Sequence, residues 1–136
     1  MKLRSHCPTN YALEHFGDKW SLLIVRDLMF KGKRHYNEFF ESDERVSTSV
    51  LGERLRNLEA VGIISKGEDH AKKSRIRYSL TEKGIALLPL MVEMIIWSGI
   101  FDNKTAAGED FLKKAKKNKA ALLTALHRKL KTEHLS

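Results

Sequence analysis

A mainly α-helical fold carrying one small β-hairpin, an α+β arrangement, is what three stretches of this sequence predict. Leu51, Leu55, Leu58 and Val61 recur at intervals of three and four, the signature of a helix with one buried stripe. From Arg75 to Leu80 the spacing drops to two: Ile76, Tyr78 and Leu80 alternate with Arg75, Arg77 and Ser79, as in a half-buried strand. Beyond them Ile85, Leu88, Val92, Ile95 and Ile96 return to helical spacing, with Leu87, Met91 and Met94 widening the face. A single small domain does not usually cover so wide a face, so a partner helix is expected.

Size and charge narrow the class. With 136 residues, 42% hydrophobic and 31% charged, the chain can build one domain with a real core. The net charge of +8 favours a polyanionic partner, nucleic acid before an anionic membrane. The first eight residues contain no apolar run of the signal-peptide kind, and Pro89, Glu93 and Gly99 interrupt the most apolar stretch. Cys7 is the lone cysteine, which excludes an intrachain disulfide and agrees with a reducing cytoplasm. A cytoplasmic location and no membrane partner are therefore expected.

Taken in order, Cys7 and Pro8 open the first helix, because a proline at its start wastes no hydrogen bond. Ala12, Leu13 and Phe16 form its apolar stripe, and Gly17 ends it. Asp18 is the expected N-cap of a second helix from Lys19 to about Phe30, with Trp20, Leu23, Ile24 and Leu28 facing inward. A basic turn, Lys31 to His35, leads to a short helix over about Tyr36–Glu41. Its Lys33 and Arg34 are candidates for backbone phosphates, or simply a solvated turn.

The helix that follows is expected to start at Ser47 or Thr48, either of which can cap it, and to run to Val61, with Gly62 as its stop. Opposite its leucines lie Ser49, Gly52, Glu53, Arg56 and Asn57, small, polar or basic groups that need no core. Such a face suits a DNA major groove, although a merely solvated surface would look the same. The continuation decides: Ile63–Lys66 and the alternating segment make two strands around a basic loop, a wing. Helix, helix and wing together form a winged helix-turn-helix. On this reading Ser47, Thr48, Ser49, Gly52, Glu53, Arg54, Arg56 and Asn57 belong to the recognition helix. Lys72, Lys73, Arg75 and Arg77 lie on the wing, beside phosphates.

Thr81 should cap the next helix, from Glu82 to about Trp97, which Pro89 should kink or divide. From Ala106 to Leu135, Leu112, Ala115, Leu122, Leu126 and Leu130 form the apolar side of a basic amphipathic helix. It would complete a dimer interface, touch DNA or lie on a membrane surface. The sequence contains no Gly-rich nucleotide loop, no His-Glu-x-x-His and no Cys-x-x-Cys, and its six histidines are scattered. No enzyme activity, cofactor or metal is expected.

Four runs resemble one family: Cys7-Pro8; Asp18-Lys19-Trp20-Ser21-Leu22-Leu23-Ile24-Val25-Arg26-Asp27-Leu28; Val50-Leu51-Gly52-Glu53-Arg54-Leu55-Arg56-Asn57-Leu58-Glu59; and Tyr78-Ser79-Leu80-Thr81-Glu82-Lys83-Gly84. In order and spacing they are similar to the HxlR-type winged helix-turn-helix regulators. The resemblance covers about residues 7–97. It implies a homodimeric transcription factor, repressor or activator, on double-stranded DNA with a palindromic operator, joined through the first helix and the long helix after the wing. Many members carry a basic residue where Ser49 stands and a serine where Gly52 stands, so the operator sequence does not transfer. In several members a cysteine at the Cys-Pro position senses oxidants or electrophiles. Cys7 retains it, at a helix start that favours the thiolate, with Arg4 and His6 near in sequence.

The expected organisation is a winged helix-turn-helix domain over residues 1–103, including the dimerisation helices, and a basic helical extension over 104–136. Two rival functions keep the fold: a protein-interaction adaptor, and a nonspecific nucleic-acid binder driven by the tail.

Overall fold

Three leucines on one stripe of a thirteen-residue helix organise the core. In the computed structural model, which describes residues 1–135, Leu51, Leu55 and Leu58 of helix α3 (Thr48–Ala60) are buried. They meet Ile24, Val25 and Leu28 of α2 (Ser21–Phe30), Phe39, and Ile63, Ile64 and Leu80 of the hairpin in one cluster. The element order is α1 (Pro8–Phe16), α2, a short 3-10 helix (Tyr36–Phe40), α3, β1 (Ile64–Glu68), β2 (Ile76–Leu80), α4 (Glu82–Ile85), α5 (Leu88–Phe101) and α6 (Glu109–His134).

Local chemistry sets most of the boundaries. Cys7 is the N-cap of α1, and the Gly17 N–H closes that helix on the Leu13 carbonyl at 2.8 Å. α2 begins two residues later than its apolar pattern suggests. Asp18 still serves its start: Oδ1 accepts from the N–H groups of Trp20 at 2.7 Å and Ser21 at 2.9 Å. Trp20 and Leu23 are only partly buried, whereas Ile24, Val25, Leu28 and Met29 form the inward face. The predicted first helix of the helix-turn-helix is a five-residue 3-10 helix, held by the Glu38 carboxylate, which accepts from the backbone N–H of His35 at 2.9 Å. In the turn before α3, Arg45 adopts φ 56°, a left-handed conformation uncommon outside glycine.

Ser47 caps α3 by accepting the Val50 N–H, and at its far end Gly62 turns out of the helix at φ 80°. The Lys83 ammonium donates to the Val61 carbonyl there, at 2.8 Å. β1 and β2 pair antiparallel, with Ile64 opposite Leu80 and Lys66 opposite Tyr78. Ile76, expected on the buried side, lies at the outer end of the wing and is exposed. Thr81 accepts from the Gly84 N–H to start α4. A Cβ on Gly84 would stand 2.2 Å from the Ile63 carbonyl oxygen, so only glycine lets α4 approach the hairpin this closely.

The segment Glu82–Phe101 is long and apolar enough in composition to cross a membrane, yet it divides before Pro89 and sends Ile85, Leu88, Met91 and Val92 into the core. α6 packs along α5 and α4. Gly99 permits close approach, since a Cβ there would meet the Leu112 side chain at 3.0 Å. The helix kinks at Asn118, whose side chain then caps the second half by accepting the Ala121 N–H. Leu130 reaches the main cluster, and His134 is buried at the junction of wing and α2. Its Nδ1 accepts the Leu80 N–H at 3.0 Å while Nε2 donates to the Leu28 carbonyl at 3.2 Å.

That ring is neutral by construction. Burial, followed by the nearby Arg34 charge, holds its pKa at about 4, against an ordinary 6.5. The folded pKa is depressed, so the ring's contribution to stability is complete above pH 6.5. It fades as the pH falls from there through 4, because the unfolded chain takes up the proton first. Denaturant unfolding across this window should show a slope of up to about 1.4 kcal/mol per pH unit from this group. His134→Gln should flatten that part of the profile; an unchanged slope would reject the assignment.

Candidate nucleic-acid interface

The burial of Leu51, Leu55 and Leu58 turns the other side of α3 to solvent. Ser47, Thr48, Ser49, Glu53, Arg56 and Asn57 are exposed, and Gly52 is half-buried between them. The Tyr36 hydroxyl donates to the Thr48 carbonyl at 3.2 Å, and the Tyr36 ring packs edge-on against Phe40. These contacts set the start of α3 against the 3-10 helix. The Arg56 guanidinium runs back along Gly52, 3.3 Å from where a Cβ would sit. Arg56 forms no ion pair among the described residues.

The wing presents a second cationic group. Lys72, Lys73 and Arg75 are exposed on its loop and form no ion pairs among the described residues, while Arg77 is half-buried nearer the base. The loop is built from within. The Asp69 N–H donates to the Arg75 carbonyl, the Arg75 N–H to the Lys72 carbonyl, and Asp69 Oδ1 accepts from Ala71 at 2.7 Å and Lys72 at 3.3 Å. The other Asp69 oxygen meets Nε2 of His35, whose Nδ1 lies 2.7 Å from Glu38. Glu38, His35 and Asp69 thus link the 3-10 helix to the wing tip. The Ala71 amide, then the His35 ring, holds the Asp69 carboxyl down at about 2, so it is ionised at any physiological pH.

Three predicted phosphate or groove contacts have other partners. Arg34 clasps the base of the wing: its carbonyl accepts the Tyr78 N–H at 2.7 Å, and Nε donates to the Tyr78 carbonyl at 2.7 Å. Its guanidinium also reaches Ser79 Oγ at 2.6 Å and the Glu133 carbonyl at 3.3 Å. Lys33 donates to Ser42 Oγ at 2.8 Å and to the buried Asp27 at 3.4 Å. Arg26 joins the same network, bridging Asp27 and Glu44. Arg54 turns toward Asp18, 3.4 Å away, with Nε buried. These cations hold the helix-turn-helix together; Lys33 and Arg34 spend their hydrogen bonds internally, whereas Arg54 faces Asp18 as an ion pair and its buried Nε has no hydrogen-bond partner among the described residues.

Cys7 is exposed at the N-terminus of α1. The backbone N–H groups of Asn10, then Thr9, lower its thiol pKa, as a helix N-terminus should. Arg4, near in sequence, is instead engaged by Asn10 Oδ1 at 2.7 Å and by Glu14. The residues that sequence reasoning missed are His35, Glu38 and Asp69. His35 and Glu38 show the spacing of a helix-start pair, but nothing local connects them to Asp69, 34 positions beyond His35.

Removing the Asp69 acceptor should free the loop. Asp69→Ala is expected to speed amide exchange over residues 71–75 by about tenfold, the equivalent of one charge-assisted hydrogen bond, and to leave α3 protected. Unchanged exchange in the loop would show that Asp69 does not hold it.

Comparison with known proteins agrees with this architecture. Residues 15–106 match the model of the HxlR-like helix-turn-helix family. An HTH-type transcriptional regulator of Synechocystis, sll1512, is 35% identical over 88 residues, which are 65% of this chain and 64% of that protein's length. The oxidised form of the redox regulator HypR superposes with a TM-score of 0.63 at 32% identity, covering 71% of this chain and 99% of that one. The reduced form of the transcriptional regulator YodB from Bacillus subtilis gives a TM-score of 0.58 at 30% identity, over 74% and 99%. With a wing, a helix-turn-helix and these relatives in common, the chain belongs to the HxlR-like helix-turn-helix family of transcriptional regulators.

Proposed function

We propose that the protein is a cytoplasmic homodimer that binds double-stranded DNA at a palindromic operator, as repressor or activator, and responds to oxidants or electrophiles through Cys7. The observation that carries the reading is the pairing of an exposed polar face on α3 with a wing whose loop cations are unpaired. Thr48, Ser49, Glu53 and Arg56 are the candidates for base edges and nearby phosphates. Lys72, Lys73, Arg75 and Arg77 supply sequence-independent affinity.

Dimerisation accounts for the apolar surface the single chain leaves open. Leu90, Met94, Trp97, Ile100 and Phe101 run along one side of α5, and Trp97, Ile100 and Phe101 are 66%, 69% and 72% exposed. Tyr11 and Leu13 of α1 are exposed as well. A two-fold axis through these helices would bury both sets and place the two recognition helices about one helical turn of DNA apart, or a multiple of it. The redox element rests on the exposed, pKa-lowered thiol of Cys7 and on two similar structures being redox forms of regulators.

Binding to the upstream intergenic DNA, against scrambled DNA across a salt series, tests the DNA reading. Arg56→Ala should weaken the native fragment by about 1–3 kcal/mol and random DNA far less. Lys73→Ala should weaken both alike and reduce the salt slope by about one. Equal losses for both variants on both DNAs would refute this division. For Cys7, peroxide should shift operator affinity by about tenfold, or 1.4 kcal/mol, in the native protein and leave Cys7→Ser unmoved. The same shift in both proteins would remove Cys7 from the mechanism.

A further inference from the structure

A cavity of about 530 Å³ lies where α2, α5, α6 and the segment leading into α6 meet, within the range of small-molecule sites. Its walls are mainly apolar: Leu22 and Phe30 from α2, Met91 and Met94 from α5, Phe111 and Leu126 from α6. Phe30 and Phe111 face each other edge-on, with centroids 6.3 Å apart. The charged residues in the lining, Arg26 and Lys31, are both cations, and no carboxylate among the described residues lines the space. Arg26 is occupied by Asp27 and Glu44, whereas the exposed Lys31 has no ion pair among the described residues. The groove of about 580 Å³ beside Pro89 and Arg128 has polar and apolar wall in similar measure.

We propose that this cavity binds a small hydrophobic monoanion: one compact ring system or branched chain carrying a single carboxylate-type group. The apolar body lies between the phenylalanine pair and the two methionines, which adapt to its outline, and the anion meets Lys31. Charge complementarity selects the anion, and the cavity size limits the body to a ligand of drug-like dimensions or less. Phe111 and Leu126 fall beyond residues 15–106, the part that matches the family model, so α6 of this chain completes the pocket. An occupant touches α2, α5 and α6 together and so biases their packing; any effect on operator affinity rests on the DNA reading above, whereas binding itself does not.

The probe is 2-naphthoate, with neutral 2-naphthamide beside it, added to the full chain labelled with ¹³C at its methionine methyls. Met91 and Met94 line the cavity; Met1 and Met29 do not. Saturable shifts confined to Met91 and Met94 are expected, with naphthamide bound about tenfold more weakly. Lys31→Glu should weaken naphthoate by about tenfold and leave naphthamide unchanged, and being on the surface it should not disturb folding. Ala107→Trp, which fills the space, should abolish the shifts from both compounds. The proposal is overturned by no saturable shift at Met91 and Met94 up to about 5 mM, by shifts spread over all four methyls, or by equal affinity for acid and amide. Because the readout contains no DNA, failure here leaves the operator reading standing, and failure at the operator leaves this one standing.

Discussion

The constraint behind this structure is that the apolar stripe of α3 has to leave water. Fully burying a leucine side chain contributes roughly 1.5–3 kcal/mol, and Leu51, Leu55 and Leu58 do so against α2 and the hairpin. Since side chains on a helix have fixed relative directions, this burial also determines what faces outward. Ser49, Glu53 and Arg56 are offered to solvent because the leucines one or two positions away, on the opposite face of the helix, cannot be. The exposed polar face of α3 follows from packing, with Tyr36 fixing where the helix begins.

Around that seam, cations divide by the company they keep. Lys33, Arg34 and Arg54 sit close to acidic or carbonyl oxygens at the joints between elements, and there they act as cross-links. Arg34 reaches furthest of the three, joining the segment before the 3-10 helix to both backbone groups of Tyr78, to Ser79 and to the end of α6. The side chains of Arg56, Lys72, Lys73 and Arg75 are exposed and form no ion pair among the described residues. The carboxylates are as selective: Asp69, within a strongly basic loop, turns inward to shape the loop by accepting its amides. The net charge of +8 therefore overstates the cationic surface a polyanion would meet.

α6 is more than an appended basic helix. It closes against α4 and α5, inserts Leu130 into the core, and ends with a neutral histidine hydrogen-bonded to both α2 and β2. Its lysines line the solvent side, where Lys119 meets Glu93 of α5. The same helix walls the cavity beside α2, so the α6 contacts that steady the wing base and those that enclose the cavity belong to one element.

The sequence by itself determined the features that depend on near neighbours. These are the periodicity of α3, the cap Thr81, the narrowing of the α3 cap to Ser47 or Thr48, the stop at Gly62, the alternation of β2 and the break before Pro89, each a matter of a few adjacent residues. It also determined which face of α3 is polar, because helical geometry is the same in every context. Only the tertiary structure decided the use of Lys33, Arg34 and Arg54, since a cation's role depends on oxygens brought beside it from elsewhere. Ser79 is 45 positions from Arg34, and Asp18 lies on the loop before α2. The Glu38–His35–Asp69 link, the docking of His134 and the cavity between α2 and α6 were settled there too. Each joins segments separated by tens of residues, and no spacing within one segment encodes a contact made only when the chain closes on itself.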